Sequence, residues 1–340
     1  MPDSFSGDYE PQNIHEETPE ELKLVLRLHD NIKGIRMAGL DTTLTKIRKI
    51  NILPTFPDIV DGIINLIEDP MSSASDLAKN MDPSMVGEVM RVANTAYFGM
   101  RSFRKITTIE HAIAIIGYEH LSHILLQMPF LKMVQVNDEA FDRNGYIRHS
   151  IACGIMAKIM STTLHIANPH EVYISGIIHD IGIIIIYQHF RHSWNAINSL
   201  VCTKNVPRLT AEREVLSVDH GFIGAVLLEN WNIPQSITEA VKFHHSPLKT
   251  QIFKDNAVIT HLANEFSKRI DFNKDFSNFN YFLSRHRDYI DYMVDLGGHF
   301  TPSNEVMFFE KIYSSLDGVR RYLHGTMEGE KEVDDTCNCC

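Results

Sequence analysis

Apolar positions recur at three-to-four spacing along almost the whole chain, and no stretch alternates strictly between apolar and polar residues. That periodicity belongs to helices with one buried face, not to strands. Leu24, Leu28, Ile32 and Ile35 form the first such stripe. It follows Thr18-Pro19-Glu20-Glu21, where threonine caps, proline suits the first turn and Glu21 completes a capping box. Asp82-Pro83 predicts a helix through Val92, and Thr107 with Glu110 predicts another ending at Gly117. A further helix is expected from Glu119 to Phe130. Asn168-Pro169-His170-Glu171 opens the helix expected to carry His179 and Asp180, Pro234 one that ends in His244-His245, and Asp255 one that holds His261 and Asn264. No repeat of fixed period is evident, so the expected class is all-α, a multi-helix bundle.

Changes of texture divide the chain. Residues 1–17 are acidic and polar with too few apolar groups to fold alone, and are expected to be disordered. An N-terminal helical subdomain is expected over 18–130 and a second helical bundle over 131–268. After Ile270 the run DFNKDFSNFN suits turns, with helical stretches near Tyr281–Met293 and Asn304–Leu323, which makes 269–324 a C-terminal helical extension. The acidic tail 325–340, ending Cys337-Asn338-Cys339-Cys340, is read as disordered. Its three thiols lack a partnering Cys or His cluster of zinc-site spacing, and Asn338 and Cys339 fit a prenylation box poorly. The Leu24, Leu28, Ile32 and Ile35 stripe needs a cover. We expect self-packing on Val306, Phe309, Ile312 and Tyr313, with a protein partner or a second copy as the alternative.

Composition narrows the function. A chain of 340 residues with 44% hydrophobic content can bury one large or two medium cores. The net charge of -11 argues against a nucleic-acid groove. The longest apolar run, Ile177 to Tyr187, is interrupted by His179-Asp180 and falls short of the roughly 18 residues of a membrane span. No charged-then-apolar leader stands at Met1, and only Cys153 and Cys202 lie in the body of the chain. A reducing cytoplasm is therefore the expected location.

The chemistry lies in five histidine-bearing spots: His149, the pair His179-Asp180, His220, the pair His244-His245, and His261 close to Asn264. Imidazole and carboxylate are donors for borderline divalent metals, and separate helices could each supply one or two. His261, His165, His189 and His192, each taken alone, read as buried posts or surface residues. Arg91, Arg101, Arg104 and Lys105 read as a solvated face, and Asn94, Gly99 and Gly117 as helix-end and turn positions.

Around these spots lie recurrent blocks. Leu53-Pro54-Thr55-Phe56-Pro57, Met81-Asp82-Pro83, the stretch from Arg91 to Gly99, and Ala112-Ile113 up to Gly117 come first. Arg148-His149-Ser150, Ser175 through Gly182, Asp219-His220, Trp231-Asn232-Ile233-Pro234 and His244-His245-Ser246-Pro247 follow in order. Together they resemble the HDOD family, the regulatory offshoot of the HD-domain metallohydrolases. The resemblance implies an HD-like helical bundle and a degenerate metal site built from His149, His179, Asp180, His220, His244, His245 and Asn264, with Fe, Mn, Zn or Mg as the ion. It implies a non-enzymatic signalling module that contacts two-component or cyclic-dinucleotide proteins, with a homodimer allowed. The alternative is an active phosphohydrolase on a nucleotide or cyclic dinucleotide. Two departures weigh against activity. Asn264 replaces the closing aspartate, and position 183 is Ile where the related HD-GYP enzymes carry Lys, with no GYP segment after His244-His245.

Overall fold

The structure is a computed structural model that describes residues 140–268 without a break, most of 41–50 and 62–134, and stretches within 282–296 and 308–323. No strand occurs among the described residues. In chain order the helices are α1 (Ala74–Lys79), α2 (Pro83–Ala93), α3 (Ile109–Ile116), α4 (Tyr118–Met133), α5 (Arg143–Leu164), α6 (Pro169–Ile178) and α7 (Ile181–His189). They continue as α8 (Arg191–Lys204), α9 (Arg208–Leu216), α10 (His220–Asn230), α11 (Gln235–Phe243), α12 (Lys254–Ser267) and α13 (Arg287–Asp295).

The starts are set by short polar side chains that satisfy first-turn N–H groups. Asp82 accepts from the Met85 amide, Asn168 from His170 and Glu171, and Asp219 from Phe222. At α3 the cap is Thr108, which accepts from His111. The expected Thr107 is one residue early, because two adjacent threonines compete for the same role. Asn94 closes α2, its amide donating to the Met90 and Ile106 carbonyls and its Oδ1 accepting from the Ile106 amide. Gly117, at φ 81°, turns the chain between α3 and α4.

Helices α1 to α4 pack on one another, and α5 to α12 form a second set of mutual contacts in which α5 lies along α6 and α12. Two close crossings decide where the site can form. Where α5 meets α6, a Cβ on Gly176 would stand 2.7 Å from the Gly154 Cα, and one on Gly154 would stand 2.8 Å from the Tyr173 carbonyl oxygen. Where α7 meets α10, a Cβ on Gly182 would stand 2.0 Å from the His220 carbonyl oxygen. Only glycine allows backbones this close. The residues that flank these glycines, His149, His179, Asp180 and His220, are thereby drawn to one place.

The segment Pro169–His189 is apolar and long enough to cross a membrane by length and composition, yet 78% of its most apolar 18-residue stretch is buried within the bundle, as in a core helix pair. It is not one straight helix. His179 ends α6 and Asp180 caps α7, so the pair sits in the turn between them and not inside the single helix expected. In the same way His244 ends α11 at its C-cap, with His245 in the turn beyond. The stripe Leu24, Leu28, Ile32 and Ile35, the block Leu53–Pro57, Arg101, Arg104 and the three C-terminal cysteines lie outside the described residues.

Candidate metal centre

Six side chains from four helix ends and α5 meet at one buried point. Asp180, His220, His244 and His245 place one donor atom each within 4.8 Å of one another, and His149, His179 and Asp180 do the same. Asp180 joins the groups with its two oxygens. Oδ2 lies 3.1 Å from His179 Nε2 and 3.7 Å from His149 Nε2, while Oδ1 lies 3.1 Å from His220 Nε2 and 3.4 Å from His244 Nε2. His179 and His244 are fully buried.

The far sides of the rings fix which nitrogen faces inward. His179 Nδ1 lies 2.8 Å from the Gly176 carbonyl oxygen, and His244 Nδ1 lies 2.6 Å from that of Val241. Carbonyls only accept, so each Nδ1 carries the proton. His220 Nδ1 donates to buried Glu212 at 2.7 Å, and the same carboxylate oxygen accepts the His220 amide at 2.9 Å. Ser267 Oγ donates to the Asn264 carbonyl at 2.8 Å and so accepts from His149 Nδ1 at 3.1 Å.

Four Nε2 atoms are thus left to present lone pairs to the centre, and together with His245 Nε2 they nearly touch. His149 and His179 are 3.3 Å apart there, His220 and His244 3.3 Å, and His220 and His245 3.0 Å. Facing lone pairs repel unless a cation or protons lie between them. Asp180 Oδ1 is buried and takes no well-aligned hydrogen bond. Tetrahedral bonds of about 2.0–2.1 Å put neighbouring donor atoms about 3.3 Å apart. The donors therefore fit a divalent ion by type, by spacing and by tautomer.

The site's charges act on one another strongly. Burial works against a charged His220, but the Glu212 carboxylate and Asp180 outweigh it and push that ring up to about 10. Burial opposes charge on His179 as well, and Asp180 still holds it well above the usual histidine range. Asp180, despite its burial, is held well below the carboxylate range by His179. Burial and the neighbouring His179 charge take His149 down to about 3, and burial takes His244 down to about 4. His245 is lowered too, by burial first and then by His244.

Of the residues singled out from sequence, His149, His179, Asp180, His220, His244 and His245 converge. Asn264 reaches the centre through its backbone: its carbonyl holds Ser267, and its own buried Oδ1 has no hydrogen-bond partner. His261 is a post, with Nδ1 on the His244 carbonyl at 2.7 Å and its ring against Tyr289. The orienting residues Glu212 and Ser267 were missed. Neither has a sequence signal: Ser267 lies 118 residues from His149, and Glu212, eight residues before His220, belongs to a different helix and to no motif block. The glycines at the two crossings could have been flagged, because Gly154, Gly176 and Gly182 sit where a helix would otherwise prefer Ala.

An all-helical bundle with a His/Asp centre at a helix junction defines the class, and comparison with known proteins gives the family. Residues 53–247 match the HDOD domain, and the chain belongs to that family. An uncharacterized protein of Treponema pallidum (strain Nichols) is 24% identical over 203 residues, covering 58% of this chain and 38% of that protein. Less than two thirds of that relative's length is therefore spanned. Among solved structures, an HDOD domain protein of unknown function from Geobacter sulfurreducens superposes with a TM-score of 0.68 at 22% identity, covering 85% of this chain and 99% of its own. A protein assigned by name to the phosphohydrolases, from Shewanella amazonensis SB2B, gives 0.61 at 19% identity, covering 84% and 97%. At these identities the likeness is one of fold.

Proposed function

We propose that the chain is a non-enzymatic regulatory module of the HDOD family, acting in the cytoplasm through contacts with two-component or cyclic-dinucleotide proteins. Its helices are tied together by one divalent ion held by Asp180, His220, His244 and His245, with His149 and His179 closing the other side. Imidazole-rich donors favour zinc or iron over magnesium. A bound ion of this kind supplies crosslinking and Lewis acidity at the junction of α6, α7, α10 and α11.

The observation that carries the reading is the charge count. Asp180 is the one carboxylate in either donor group among the described residues. Hydrolytic two-metal centres hold their ions about 3.5–4 Å apart. Here +4 would face one carboxylate, with Glu212 behind His220 as the nearest addition. One ion is balanced far better than two. Asn264 brings no charge, and Ile183, half-buried on α7, has no proton to give a leaving group.

A second reading, a metal-dependent phosphohydrolase, is favoured by one feature: the two oxygens of Asp180 address two separate imidazole groups. The test is hydrolysis of bis(p-nitrophenyl) phosphate and of cyclic dinucleotides by purified protein with added zinc, manganese or ferrous iron. The regulatory reading expects no turnover above buffer. Metal-dependent turnover that vanishes in both His179→Ala and Asp180→Ala would establish the hydrolase instead.

A further inference from the structure

A second cavity, of about 420 Å³, lies between α4, α5 and the helical residues Ser315, Gly318, Val319 and Tyr322. It is distinct from the histidine centre, although α5 contributes to both. Lys158 lines the cavity and His149 the centre. Nine residues along a helix are about 13 Å and two and a half turns, so the two side chains leave opposite faces of α5. A volume of this size is that of pockets that enclose small organic molecules.

The lining is divided by chemistry. Ile155, Ile159 and Val319 make an apolar wall, and the Tyr322 ring closes one side with His120 at a centroid distance of 5.8 Å. Opposite in character stands Lys158, whose side chain is only 14% exposed. Its ammonium donates to His123 Nε2 at 2.9 Å, and among the described residues its paired carboxylate is Glu119, 3.5 Å away and itself 70% exposed. His123 is fixed behind it, stacked on Tyr173 at 4.7 Å, with its carbonyl accepting from the Tyr173 hydroxyl at 3.2 Å. Burial lowers the pKa of Lys158 and holds that of His123 well down, so the ring is a neutral acceptor and adds no charge.

An ammonium largely removed from water loses more solvation than a solvent-screened carboxylate at 3.5 Å returns. An anion within the cavity would restore the balance, and the hydroxyls of Thr162 and Thr163 on its lining are further donors for such a group. The aromatic and aliphatic walls call for a ligand with a body. We propose that the cavity binds a small organic anion: a carboxylate or phosphate seated on Lys158, joined to a ring that lies against Tyr322 and the Ile155–Ile159 wall. Glu119 is the built-in rival of that anion. The site reaches beyond the regulatory reading and does not depend on a metal.

Benzoate and phenyl phosphate, with benzyl alcohol as the uncharged counterpart, serve as probes in calorimetric titrations of the full chain in the presence of EDTA. We expect saturable binding of at least one of the two anions, tighter than benzyl alcohol, and the better of the two tells whether the group is a carboxylate or a phosphate. Lys158→Met, which keeps the stem and removes the charge, should weaken that anion at least ten-fold. Glu119→Gln alters a largely exposed side chain and should leave the fold intact. It should tighten the anion about three-fold, the worth of one exposed ion pair released from competition. A purely structural Lys158–Glu119 pair would give no such gain. No saturable binding of either anion, or binding that Glu119→Gln fails to tighten, would overturn the proposal.

Discussion

Gly182→Ala tests how the fold builds the centre. The added methyl would lie 2.0 Å from the His220 carbonyl oxygen, 2.7 Å from its carbon and 2.9 Å from its Cα, against an ordinary contact of at least 3.4 Å. All three atoms are backbone, so no side chain can swing aside, and α7 and α10 must part by about 1.4 Å (3.4 less 2.0). Transmitted in full, that takes the 3.1 Å separation of His220 Nε2 and Asp180 Oδ1 to about 4.5 Å. Metal sites tolerate departures of about 0.2 Å. We therefore expect affinity for zinc to fall at least 100-fold. The metal-free chain should also lose about 2–3 kcal/mol from overpacking. For a chain of this size that is a fall in Tm of about 3–4 °C. The assay is scanning calorimetry with EDTA and with zinc, beside a zinc-competition titration. Gly87→Ala is the matched control: its Cβ meets nothing within 4 Å on α2, and it should raise stability by about 0.5–1 kcal/mol. A Gly182→Ala protein that melts and binds zinc like the parent would refute the reasoning.

Two further outcomes follow from the same geometry. Glu212→Gln keeps an acceptor for His220 but removes the charge that orients it. Metal affinity should drop by about 10- to 100-fold in the competition titration with the fold retained, and an unchanged affinity would show that the buried carboxylate does not serve the ring. His220 titrates near 10, above its ordinary range, so between pH 6 and 8 it is protonated in the metal-free chain and must release a proton to bind through Nε2. Affinity should accordingly rise with pH over that window, with about one proton released per ion in titrations run in buffers of different ionisation enthalpy. A pH-independent affinity would count against this ring as a donor.

The all-helical class, the helix ends at Asp82, Asn168 and Gly117 and the candidate donors were legible in the sequence, because local spacing and capping chemistry act over a few residues. Asp82, Asn168 and Gly117 stand at helix ends as their types require. The two discrepancies also have local causes. Thr108 takes the cap that Thr107 was expected to hold, and the apolar run through Ile177–Tyr187 hides the turn at His179-Asp180, since both flanking helices are buried all round and show no polar face to break the pattern. What could not be read was tertiary. The resemblance supplied the idea that the histidines share a site, but nothing in the spacing marks Glu212 as the carboxylate behind His220 or Ser267 as the hydroxyl behind His149. The Lys158 cavity is likewise assembled from residues far apart in the chain.

Whether one divalent ion ties Asp180, His220, His244 and His245 together is decided by elemental analysis of the purified, untagged chain beside its His220→Ala variant. We expect about one zinc or iron per chain in the parent and a near-complete loss in the variant. A parent free of metal after growth with zinc and iron, or a variant that keeps the same content, would contradict it.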